Sequence, residues 1–202
     1  MNLNGMTGKM RGWVGVAVLA AVASALAGVH VRESMEWEHA WMDGTDDTSL
    51  PRVLLVGDSV CNAYQGEVRK RLAGVARVDY WASSKCLTDR SYLAALKYHL
   101  DEASYRVVHF NNGLHSLGAT TVPAEWADRL RDAFRLIRAR GNGASIVWAS
   151  ATPLRDDPKL GPAVSRLNAL ARAVAAEEGV AVNDLFALMD PLPRTLWADQ
   201  YH

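Results

Sequence analysis

Half of the 202 residues are hydrophobic and 22% are charged, the balance of an ordinary globular chain rather than a disordered or fibrous one. Lys plus Arg and Asp plus Glu stand at 22 each, so there is no basic excess to engage nucleic acid and no acidic tail. A small neutral or polar ligand is the expected partner, and a core of ~150 residues, burying roughly 70% of its unfolded surface, needs no covalent staple.

Lys9 and Arg11 precede an uncharged, Ala- and Val-rich run over residues 12–29 that contains Ala23-Ser24-Ala25 and Ala25-Leu26-Ala27. A basic start, a short apolar stretch and small residues at alternating positions predict a signal peptide over residues 1–27, cleaved after Ala25 or Ala27, and hence an exported protein. The run falls short of the ~20 residues of a usual membrane span, so membrane attachment is expected only if the segment stays uncleaved. Residues 28–50 are polar, with Met35, Trp37 and Trp41 interspersed, and read as a linker or short helix. His30 and His39 have no Cys or carboxylate at ligand spacing and read as solvated surface.

Residues 51–202 form the predicted domain. The apolar run 53–56 reads as a buried strand that ends at Gly57, and a helix follows over 62–72. A second strand over 75–82 is interrupted by Arg77 and Asp79. A helix over 91–103, a strand over 105–110, a helix over 123–140 and a strand over 145–149 come next. The helix over 123–140 is marked by Pro123 in its first turn and by a Trp126, Leu130, Phe134, Ile137 stripe. A helix over 163–178 and a fifth strand over 180–182 complete the alternation. Strands alternating with helices impose right-handed crossovers, hence a three-layer α/β/α sandwich on a flavodoxin-like parallel sheet of about five strands. Ligands bind beyond the carboxyl ends of such strands. Ser59, residues 111–116 and Thr152-Pro153 all fall there. No Gly-rich dinucleotide or phosphate fingerprint follows the first strand, no metal-ligand cluster is visible, and no cofactor is expected.

Gly57-Asp58-Ser59 puts a serine at a strand-to-helix turn, where free backbone N–H groups can stabilise an oxyanion. By itself it reads as a helix cap supplied by Asp58 or Ser59, and only partners elsewhere in the chain favour catalysis. Asp199-Gln200-Tyr201-His202 adds a carboxylate three residues before a histidine, a spacing that lets one side chain orient the other. Together they supply a nucleophile, a base and its orienter. Gly57-Asp58-Ser59 after the first strand, Asp-x-x-His near residue 200 and a glycine-centred turn after the third strand resemble the SGNH or GDSL hydrolases over about residues 52–202. That resemblance implies ester hydrolysis through an acyl-serine, with Ser59 as nucleophile, His202 as base and Asp199 as its partner.

The resemblance departs from the family pattern at two blocks. Where the family has Gly-x-Asn-Asp, this chain has Gly113-Leu114-His115-Ser116, so His115 stands at the asparagine position, with Asn111 and Asn112 just ahead as other amide donors. Cys86 stands where a glycine N–H is usual. The oxyanion hole implied is therefore the N–H groups of Ser59 and Cys86 plus a side chain from Asn112 or His115. Cys61 and Cys86 should both flank the site, either as a disulfide bracing the turn or as two buried thiols. His99 and Asn168 read as helix-surface residues, His109 and Asp184 as strand residues. The expected activity is an exported serine esterase acting on a small acyl ester, such as acetyl on carbohydrate. The alternative is a non-catalytic carbohydrate-binding or cell-surface protein on the same fold, motivated by His115.

Overall fold

The apolar run 53–56 lies inside a six-stranded sheet of order β1-β3-β2-β4-β5-β6. The strands are β1 (Glu38–Trp41), β2 (Arg52–Gly57), β3 (Arg77–Ser83), β4 (Tyr105–Phe110), β5 (Ser145–Ala149) and β6 (Ala181–Asn183). The helices are α1 (Ser59–Arg71), α2 (Tyr92–Asp101), α3 (Pro123–Arg140), α4 (Gly161–Glu177) and α5 (Leu185–Met189). The computed structural model describes residues 35–117 and 123–202. The predicted signal segment and residues 28–34 lie outside the described residues.

β2 to β6 pair in parallel, and their order is that of a flavodoxin-like sheet. Register sorts the side chains. Val56 stands beside Trp81 and Phe110 on one face, and with Leu54, Val108 and Trp148 they form the core against α2, α3 and α4. Residues one position away face oppositely. Leu55 and Val78 accordingly pack with Cys61 beneath α1. The α3 stripe is fully engaged: Trp126, Leu130, Phe134 and Ile137 are each buried to 1% exposure or less, worth about 1.5–3 kcal/mol per side chain in apolar burial.

The two charges that interrupt β3 prove to be structural. Asp79 is buried and accepts from Arg52 Nη1 at 3.0 Å and from the Asp43 backbone N–H at 2.8 Å. Arg52 also donates to the carbonyls of Asp43 and Asp47, at 2.9 and 3.2 Å, while Arg77 pairs with Asp47. The pair thus ties the turn around residues 43–47 to the sheet edge. Removing one partner would strand a buried charge at a cost of about 3–5 kcal/mol.

Two expectations are corrected and one open alternative is settled. Residues 38–41, read as part of a linker or short helix, form an antiparallel edge strand on β3, with Glu38 opposite Ser83 and Trp41 opposite Tyr80. The sheet therefore has six strands, the five expected parallel ones plus this antiparallel edge strand. Cys61 and Cys86 are both free thiols. The sheet separates them: Cys61, in α1, packs in the cluster under that helix, and Cys86, in the loop after β3, packs in the cluster on the opposite face. Asn168, read as surface, is buried in α4, where its amide donates to Ala151 O and accepts from Ala151 N, both at 2.9 Å.

Candidate active site

β2 and β4 are neighbours whose chain connections leave in opposite directions, which makes a crevice at their carboxyl ends. Ser59 stands at that point as the first residue of α1. Asp58 is the N-cap, with extended backbone (φ −116°, ψ −154°), and accepts from Val60 N at 3.0 Å. Gly57 is required sterically, because a Cβ there would lie 2.4 Å from Cys61 Cβ. The turn can form only where β2 ends without a side chain.

His202 Nε2 lies 2.7 Å from Ser59 Oγ, and His202 Nδ1 lies 2.9 Å from Asp199 Oδ2. This network assigns the tautomer: Nδ1–H donates to the carboxylate, leaving Nε2 to accept from the serine hydroxyl. Asp199 Oδ1 accepts from the backbone N–H groups of Tyr201 and His202, both at 2.7 Å. The hydrogen bond from His202, followed by these two N–H groups, lowers the Asp199 carboxyl to about 2.

The 197–202 segment is held against the loop that follows β5. Trp197 is buried and its indole donates to Pro153 O at 3.1 Å. Arg155 N donates to Gln200 O at 2.9 Å, and the Gln200 amide reaches Asp157. Sequence reading missed Trp197; a tryptophan two residues before an Asp-x-x-His pattern was the available signal.

The expected oxyanion residues divide. Asn112 is buried and its side chain is committed: Nδ2 donates to Lys85 O at 2.9 Å, while Oδ1 accepts from Leu87 N at 3.0 Å and from Ser116 Oγ at 3.1 Å. It ties the loop after β3, which carries Cys86, to the loop after β4. The Asn111 amide is likewise committed, donating to Ala149 O at 2.8 Å. His115 is half-buried in the turn Leu114–Ser116, close enough to Asp58 for its charge to act on that carboxyl. Cys86 is fully buried, its Sγ 3.1 Å from Thr88 Oγ1 and 3.2 Å from Ser116 Oγ.

Asp58 was unread as more than a cap. Its carboxyl is enclosed, Oδ2 has no hydrogen-bond partner, and burial pushes its pKa up against the opposing influence of His115 and His202. The Cys61 thiol, two residues beyond Ser59, is pushed up to about 12 by burial, which keeps it protonated and unreactive. His109 contacts Asn183 at 3.1 Å on the α1 side of the sheet, and His99 stacks on Trp81 with ring centroids 4.9 Å apart. Asp184 caps α5 and accepts from Ser150 Oγ at 3.0 Å. None of these three joins the Ser59 cluster. Among the described residues no group of His, Cys, Asp and Glu is arranged to hold a metal ion.

No family model and no curated protein matches the chain. Solved structures match it in fold. A GDSL-like lipase of Bacteroides thetaiotaomicron superimposes with a TM-score of 0.59 at 15% identity, covering 75% of this chain and 78% of its own. TesA superimposes with a TM-score of 0.55 at 25% identity, over 75% of this chain and 88% of its own. Axe2, an acetylxylan esterase of Geobacillus stearothermophilus, gives 0.54 at 13% identity, over 73% and 84%. The sandwich is thus the SGNH or GDSL hydrolase fold.

Proposed function

We propose that this protein is a serine esterase that removes a small acyl group, acetyl on carbohydrate in the first instance, through an acyl-Ser59 intermediate. The observation that carries the reading is the unbroken path from Ser59 Oγ to His202 and on to Asp199, with contacts of 2.7 and 2.9 Å. Ser59 Oγ attacks the ester carbonyl as its proton passes to His202 Nε2. The imidazolium so formed is stabilised by Asp199 and returns the proton to the departing alcohol. Water, deprotonated by the same nitrogen, then attacks the acyl carbon; the bond to Ser59 Oγ breaks, the imidazolium returns its proton to that oxygen, and the acid leaves. The developing oxyanion is assigned to the backbone N–H groups of Ser59 and Cys86, with a side chain from His115 or from Asn112, whose Nδ2 has given one of its two hydrogens to Lys85 O. The fold neighbours include an acetylxylan esterase and a carbohydrate acetylesterase, which supports the choice of substrate class. Export rests on the pattern of residues 1–27.

A fluorophosphonate probe tests the reading: it should label Ser59, located by peptide mass, and p-nitrophenyl acetate hydrolysis should vanish in Ser59→Ala. Equal rates for both proteins would favour the second reading, a carbohydrate-binding protein without catalysis, which His115 at the asparagine position motivates.

A further inference from the structure

We propose that one face of β1 is a binding track for the sugar chain that carries the scissile ester. The inference rests on the esterase reading of Ser59 and names what that site would hold beyond the acyl group. His39 and Trp41 of β1, with Trp37 in the residue just before it, occupy alternate positions along the extended chain and project to one side. That side is the α1 side: Arg69 of α1 lies over the Trp41 ring at 5.1 Å, and the Trp37 and His39 rings are 5.3 Å apart.

These rings are not core. Every residue of β1 is exposed, and Trp41 remains 51% exposed. An edge strand that leaves the Trp41 indole half in water, with the half-buried Trp37 indole ahead of it, offers apolar ring faces to a ligand, because burial would otherwise have been their main contribution to stability. The row also begins at the active site. The Trp37 ring meets the His115 ring at 6.3 Å, edge to face. Its backbone is fixed to Ser84 by Trp37 N to Ser84 Oγ at 3.0 Å and Ser84 N to Trp37 O at 3.1 Å, two residues before Cys86. From there the track runs roughly 13 Å to Trp41, four residues at the strand rise.

A pyranose chain suits this surface. Its C–H faces stack on indoles, and its hydroxyls can bond the imidazole of His39 between them. Two indoles separated by a histidine, one of them with the Arg69 guanidinium over one side of its ring, make too small and too polar a patch for a stable protein interface.

The test compares partly acetylated xylotetraose with methyl acetate, which has no chain to place on the track. In Trp41→Ala the ratio of kcat/KM for the sugar ester to that for methyl acetate should fall about tenfold, and Trp41→Phe should restore most of it. An unchanged ratio overturns the track. Turnover of neither ester by the natural protein would instead sink the esterase reading, and a binding arm keeps the two apart. Unmodified xylotetraose is titrated calorimetrically into Ser59→Ala and into Ser59→Ala/Trp41→Ala. Weaker binding by the second supports the track; equal binding, or none by either, overturns it.

Discussion

His202 and Ser59 touch at 2.7 Å although 143 positions separate them in sequence. The contact depends on two separately built supports, the capped turn at Asp58 and the 197–202 segment docked on the loop after β5. Ser59→Ala and His202→Ala should each lower kcat on the order of 10³-fold or more, and the double variant should be no worse than the worse single one, since the pair acts as a unit. Additive losses would show that the two act independently. Deleting residues 199–202 should abolish ester hydrolysis; retained activity would place the base elsewhere.

The Asp199 carboxyl, held at about 2 against an ordinary 3.8, gives a pH prediction with a definite sign. A lowered carboxyl contributes its stabilisation of the tail in full above about 3.8, and that contribution is lost as pH falls through about 2. Protonation of Asp199 should therefore contribute nothing to the acid limb of kcat/KM above about pH 4. Proton uptake by Asp199 in that range, read from its carboxyl carbon shift by NMR, would overturn this.

Asn112 offers a way to separate a loop tie from an oxyanion donor. Asn112→Ala leaves the Leu87 N–H and Lys85 carbonyl unpartnered, each worth about 1–3 kcal/mol when buried. Melting temperature and kcat should fall together, and amide exchange should quicken around residues 85–88. A fall in kcat at constant melting temperature would show that the amide acts on the substrate instead.

The two cysteines should behave as buried thiols on opposite sides of the sheet. Each should resist a thiol reagent in the folded protein and react after unfolding without reductant, and the melting temperature should be the same with and without reductant. A melting temperature that drops on reduction would indicate a bridge.

The limits of the sequence reading follow from what kind of force fixes each part. Residues 105–110, 123–140 and 145–149 match β4, α3 and β5 in full, because strong apolar periodicity is bounded there by Asn, Gly or Pro. β1 escaped because four residues, Glu38-His39-Ala40-Trp41, carry too little pattern, and its strand character comes from pairing with β3, 40 or so positions away. The charges in β3 looked like a weakness of that strand; Arg52 turns Asp79 into a structural element. At the site, residue types and spacing name Ser59, Asp199 and His202. The work of Asn112 and Asn168 is set by which backbone groups lie within hydrogen-bond reach, and chain spacing carries no record of that.

The short ends of the sheet bear on how the folded chain meets its own copies. β1 has four residues and β6 three, so either edge offers only a brief row of unpaired backbone groups to a neighbouring molecule. Glu38, drawn to Lys85, adds charge at the first of these edges. The long, apolar strands β2 and β4 sit between partners on both sides, which removes from reach the segments best able to template aggregation.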